Sequence, residues 1–253
     1  MDTSTFQDYR SSRLSYLSAA TYMRLTLPQQ LPVTMEYVLY LDADLLVLGE
    51  LDQLWQARPT TVPAQAAVDV PNPTLTPAGL ADLCREHGLD PQATNHNTGV
   101  MLLNLKQWRQ ESLAEHCFTY LERYGRNPGL PHGDQDAINL VLAGRWGTLS
   151  PEWNIPIGWR YTKAWQRYPN PGIWHFITAV KPWMSHKPWY PPLRRYASYL
   201  QASGWFSPWE YLTWWWQAVS PNLRPALSTV SEDIYRRVRS RLAQAAGRVH
   251  RRK

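Results

Sequence analysis

Cysteine is scarce in this 253-residue chain: Cys84 and Cys117 are the only two. They lie too far apart for a CxxC clip and are too few for a disulfide framework, which points to free thiols and a reducing compartment. No run approaches the ~18 apolar residues of a membrane span, and the opening "MDTSTFQDYRSSR" lacks the apolar core of a signal peptide. A cytoplasmic protein is the expectation. Acid is absent from Ile234 to Lys253, where eight basic residues fall. Removing them from the net charge of +6 leaves residues 1 to 233 at about −2, so the basicity belongs to the tail.

A chain of this length with 44% hydrophobic residues can fill one sizeable core. Residues Leu14 to Leu27 read as a helix stopped by Pro28. "EYVLYL" is short, aromatic and β-branched, which predicts a strand buried on both faces. "GVMLLNL" is a second buried strand, "AQAAVDV" a brief one, and "GELDQLW" a short helix. "KQWRQESLAEHCFTYLERY" has helical periodicity, as does "GDQDAINLVLAG", which Gly144 should end. From Gly147 to Pro192 the Trp, Pro and Tyr content predicts loops wrapping a site. Strands alternating with helices imply an α/β domain with a mostly parallel sheet, whose ligands collect beyond the strand C-termini.

Asp42 and Asp44 fall at such an end, in "YVLYLDADLLVLGEL". Carboxylates that converge repel unless a cation lies between them, and hard oxygen ligands suit magnesium or manganese bound to phosphate. The competing reading has Asp42 capping a turn and Asp44 solvated.

The surrounding motifs favour the cation. "ATYMRL", "YVLYLDADLLVLGEL", "NTGVMLLNLKQWR", "GDQDAINLVL", "PEWN" and "HFITAVKPW" stand in an order and spacing that resemble glycosyltransferase family 8, the retaining group that includes glycogenin and the lipopolysaccharide galactosyltransferases. The resemblance covers about Ser15 to Trp183. It implies a GT-A fold, a Rossmann-like mixed sheet with flanking helices, together with a UDP-sugar donor, a glycan acceptor and Mn2+, with Mg2+ as the alternative ion.

By this resemblance Asp42 and Asp44 form the metal-binding DxD, with His175 as third ligand. Lys181 contacts the donor diphosphate, Arg24 the donor, and Asn97 the donor sugar, with Gly99 allowing close backbone approach. Asp134, Gln135 and Asp136 lie against the transferred sugar. A neutral amide is a poor nucleophile, so Gln135 beside the anomeric carbon favours front-face attack and leaves Asp136 as the candidate for a covalent route. Asp69 falls near an acceptor-side carboxylate. Local sequence alone also permits a packed core His175, an exposed Lys181, a helix-surface Arg24, a turn-forming Asn97 and acids offsetting a helix dipole in "GDQD".

Two departures from the family are expected. Its first strand, loop and helix, which build part of the uridine pocket, have no counterpart here, so the domain reads as N-terminally truncated. Thr178 stands where relatives often carry glycine.

The catalytic domain is expected over residues 1–192 and an aromatic, basic helical region over 193–253. "WFSPWEYLTWWW" holds five tryptophans, which either anchor at headgroup level or pack against the domain. Ile234, Val238, Leu242, Ala245 and Val249 form one stripe on an arginine-rich helix, so Arg236 to Lys253 should bind an anionic membrane surface on its cytoplasmic side. No nucleic-acid motif accompanies it. The leading expectation is a retaining hexosyltransferase building a lipopolysaccharide or other envelope glycan. Alternatives are an impaired, membrane-bound glycan-binding relative and a metal-dependent phosphohydrolase.

Overall fold

The computed structural model describes residues 19–125, 130–158, 164–184 and 190–205, with 207, 209–210, 212–213 and 216. Two compact units divide the chain, 1–179 and 180–253.

In the first unit, β4 (His96–Asn104) is central. It pairs antiparallel with β1 (Tyr37–Leu41) on one side and β3 (Ala64–Val68) on the other, and β5 (Trp146–Thr148) adds parallel to β3. The sheet is therefore mixed rather than mostly parallel, because the long strand between β1 and β3 runs against both. Its alternate residues feed two cores. Met101 and Leu103 join a helical layer containing Tyr22, Trp108, Leu121 and Ile138, while Val100 and Leu102 meet Leu54, Leu149 and Ile173. Each of these buried leucines contributes roughly 2 kcal/mol. The continuous apolar run of β4 follows from having a core on each face. In contrast, β1 is outermost among the described strands, and its five residues are half-buried rather than buried on both faces.

The helical layer comprises α1 (Leu27–Gln30), α4 (Leu105–Gln110), α5 (Leu113–Tyr124) and α6 (Asp134–Val141). Residues Ala19–Thr26 preceding α1 form a 3-10 helix; residues 14–18 of the expected helix lie outside the described residues. The periodic segment after β4 is two helices, not one, because Ser112 adopts a left-handed φ of 50° between them. Asn104 caps α4 by accepting the Gln107 N–H at 3.1 Å. Gly144, with φ 71°, follows the end of α6.

Helices α2 (Leu51–Gln56) and α3 (Ala81–Glu86) complete the first unit's helices among the described residues. The Trp- and Pro-rich region is not all loop. A second, three-stranded sheet joins β2 (Leu45–Val47), β7 (Ile173–His175) and β6 (Ile155–Pro156), with β2 antiparallel and β6 parallel to β7.

In the second unit, α7 (Pro191–Ala202) buries Leu193 and Ala197. Trp183 and Tyr196 rings stand 6.4 Å apart, whereas Trp205 is 84% exposed. The stripe from Ile234 to Val249 lies outside the described residues. No helix among the described residues is long and apolar enough to cross a membrane.

Candidate active site

The chain leaves the large sheet at Asp42 and enters the small one at Leu45. Backbone hydrogen bonds fix both ends: the Asp42 N–H donates to Gly99 O at 2.8 Å, and the Phe176 N–H donates to Asp44 O at 3.0 Å. Leu45 pairs with His175 in the ladder, so Asp44 is delivered beside that imidazole. The DxD thus spans the step between two sheets. His175 Nε2 lies 3.3 Å from Asp44 Oδ1 and 3.8 Å from Asp42 Oδ2. The three side chains offer ligand atoms all within 4.8 Å of one another.

Asp42 uses its other oxygen differently. Oδ1 accepts from Tyr40 OH at 2.7 Å and from Arg24 Nη2 at 3.0 Å. A Cβ at Gly99 would collide with His175 and come within 2.9 Å of Asp42 Oδ2, so the missing side chain keeps the cradle open. Two carboxylate oxygens and one imidazole nitrogen suit a divalent ion of the magnesium or manganese kind. The residues present fit the metal that the DxD implies.

Arg24 is 8% exposed and fully engaged. Nη1 donates to Thr98 O at 2.9 Å, Nε lies 2.8 Å from Asp134 Oδ2, and the guanidinium sits over the Tyr40 ring at 4.6 Å. Burial lowers its pKa, and the Asp134 and Asp42 carboxylates raise it by more, so it stays charged. The Nε hydrogen is aimed at Thr21 O at 3.2 Å, which gives Asp134 Oδ2 a charge partner without a directed hydrogen bond. Burial, then the neighbouring Asp42 and Asp136, push Asp134 up to about 6 against the pull of Arg24.

Asn97 lies inside β4 rather than in a turn, and its Nδ2 donates to Asp69 Oδ1 at 3.2 Å. Asp69, beyond the end of β3, is buried, which raises its pKa, and it also accepts from Asn72 at 3.1 Å. Gln135 Oε1 accepts the Thr98 N–H at 3.2 Å, so its amide oxygen is already committed. Asp136, two residues beyond Asp134 along α6, is buried. It has no exposed surface, its Oδ2 accepts the His132 N–H, and its Oδ1 lies 3.3 Å from His132 Nδ1. These contacts hold the carboxylate inside the protein. Lys181 belongs to the second unit, where its carbonyl accepts the Met184 N–H at 2.9 Å.

Two residues without a sequence-assigned role organise the rest. Fully buried Asn139 accepts the His96 N–H at 2.8 Å and donates to His96 O at 2.8 Å and Gln135 O at 2.9 Å, pinning α6 onto the start of β4. A lone Asn on the apolar face of "DAINLV" was its only signal. Asn154, in "PEWN", lies 2.9 Å from both His175 Nδ1 and Asn97 Oδ1.

The chain is similar to known proteins in sequence and in fold. The sequence model of "Glycosyl transferase family 8" matches residues 1–187. General stress protein A of Bacillus subtilis is 26% identical over 81% of this chain and 72% of its own length. Glycosyltransferase GlyE of Streptococcus pneumoniae is 29% identical over 71% of this chain but 41% of its own. The lipopolysaccharide 1,2-glucosyltransferase of Escherichia coli K12 is 30% identical over 74% of this chain and 56% of its own. The chain thus spans about half the length of these last two. A crystal structure of galactosyltransferase LgtC with donor and acceptor sugar analogues superposes with a TM-score of 0.62 at 22% identity, covering 78% of this chain and 72% of that one, which identifies the fold as GT-A. With the family model covering most of its length, this chain belongs to glycosyltransferase family 8.

Proposed function

We propose that the protein is a retaining, metal-dependent hexosyltransferase that moves a hexose from a UDP-sugar to an envelope glycan such as lipopolysaccharide. The observation that carries this reading is the convergence of Asp42, Asp44 and His175 beside Asn97 and Asp134. A bound Mn2+ or Mg2+ would neutralise charge on a nucleoside-diphosphate leaving group. Lys181 is proposed as a point charge for the donor diphosphate. Asp134 and Asn97 would orient the sugar hydroxyls, and Asp69 the acceptor. Gln135, its neutral amide oxygen accepting the Thr98 N–H, is a poor nucleophile. In front-face transfer the acceptor hydroxyl bonds to the anomeric carbon, the bond to the diphosphate breaks on that same face, and the hydroxyl proton passes to the departing phosphate oxygen.

An impaired glycan-binding relative is the weaker reading, because the three candidate ligands and the polar groups around them are all in place. The decisive assay incubates the full chain with Mn2+, a panel of UDP-hexoses and lipopolysaccharide-core acceptors, and follows UDP release with product analysis. Turnover that disappears in Asp44→Asn supports the assignment; near-normal activity in that variant sinks it.

We further propose that the chain works on the cytoplasmic face of a membrane through Arg236 to Lys253. Trp205 and Trp209 are 84% and 49% exposed, and exposed aromatics of this kind suit the headgroup level of a membrane. A chain ending at Asp233 should lose binding to anionic vesicles, and unchanged binding would refute the idea.

A further inference from the structure

Asn154 stands between the candidate metal ligand His175 and the candidate sugar ligand Asn97. The direction of every hydrogen bond through it is set from one end. The backbone N–H of Gly99 can only donate, and it points at Asn97 Oδ1 from 3.1 Å. That identifies the oxygen end of the Asn97 amide, whose nitrogen end then faces Asp69. Asn154 meets the same Asn97 oxygen at 2.9 Å, so it must present its N–H2 there. Its own oxygen is thereby turned toward His175 Nδ1 at 2.9 Å. A carbonyl oxygen has no proton to give, so Nδ1 carries the hydrogen and Nε2 keeps the lone pair. Nε2 is the nitrogen that faces Asp44 and Asp42.

We infer that Asn154 is a positioning residue that fixes the His175 tautomer competent for metal binding and, through its other end, the donor-sugar amide of Asn97. This inference rests on the metal-dependent reading above and adds a role for a residue outside the candidate ligand set. Such outer partners of a metal-bound histidine typically alter affinity by about 10- to 100-fold. The two ends of Asn154 are separable. Asn154→Leu removes both hydrogen bonds. Asn154→Asp keeps an acceptor for Nδ1–H but has no hydrogen for Asn97.

The test titrates MnCl2 alone into the full chain by calorimetry, with thermal melts as a folding control, and then titrates a UDP-hexose in saturating Mn2+. Asn154→Leu should bind Mn2+ about 10- to 100-fold more weakly than wild type. Asn154→Asp should hold Mn2+ as well as wild type or more tightly, yet bind the UDP-hexose more weakly. A folded Asn154→Leu with wild-type Mn2+ affinity would overturn the inference while leaving the metal-dependent reading intact. If Asn154→Leu does not fold, Asn154→Asp decides: loss of Mn2+ binding overturns the role, and retained Mn2+ with weakened donor supports it. Failure of the wild-type chain itself to bind Mn2+ would overturn the metal-dependent reading and this inference with it.

Discussion

The guanidinium of Arg24 donates from Nη2 to Asp42 Oδ1 at 3.0 Å, and the same group lies 2.8 Å from Asp134. One buried cation thus serves two acids from different elements. Removing it strands both. Arg24→Met should cost about 3–5 kcal/mol in urea denaturation, the usual penalty for leaving buried charge uncompensated. A loss below about 1 kcal/mol would show that the acids are compensated elsewhere. All three of its nitrogens face partners within the fold.

Gly99→Ala tests the cradle. The added methyl has His175 and Asp42 in its way rather than open space, so His175 must move. Mn2+ binding should fall at least 10-fold while far-ultraviolet circular dichroism stays unchanged. A variant with wild-type Mn2+ affinity would show that the imidazole is not confined there.

His96 makes a prediction with a defined sign. Its ring stacks on Trp146 at 4.7 Å with Nε2 3.3 Å from Thr148 Oγ1, and burial holds its pKa down to about 4. Between pH ~6.5 and ~4 the unfolded chain takes up a proton that the folded one refuses, so stability falls as acid is added and levels off below. Asp134, pushed up to about 6, contributes oppositely: its destabilisation is present above that pH and is relieved as the pH falls toward ~3.8. Comparing His96→Gln with wild type isolates the first effect. The variant's Tm should decline less steeply from pH 6.5 to 4.5, and parallel curves would count against the assignment.

Arg109 holds a loop. Its Nε donates to Pro28 O at 2.8 Å, Nη1 to Met35 O at 2.9 Å, and Nη2 to Pro32 O at 3.1 Å and Leu31 O at 3.2 Å. A planar fork can serve this ring of carbonyls, whereas an ammonium cannot. Arg109→Lys should raise amide exchange at Leu31 and Met35 while β4 stays protected. Uniform change across the chain would mean global destabilisation instead.

What could be read from the sequence tracks how local each interaction is. The run in β4 and the period of α6 are local patterns, and both elements were expected. Strands β5, β6 and β7 have three residues or fewer, too short for any period, and they exist because partners distant in sequence supply their hydrogen bonds. The DxD and His175 were legible as motifs. The paired asparagines were not: Asn139 meets His96 from 43 residues away and Asn154 meets His175 from 21, and a buried Asn looks like a turn Asn until its partner is known. The opposed direction of β4 was likewise invisible, since strand composition does not encode orientation.

Thr178 is matched by Gly158: a Cβ there would strike the Thr178 methyl. The two positions therefore constrain each other's drift. Enlarging residue 158 should be better tolerated in a chain where residue 178 has already been made smaller than in one that keeps Thr178.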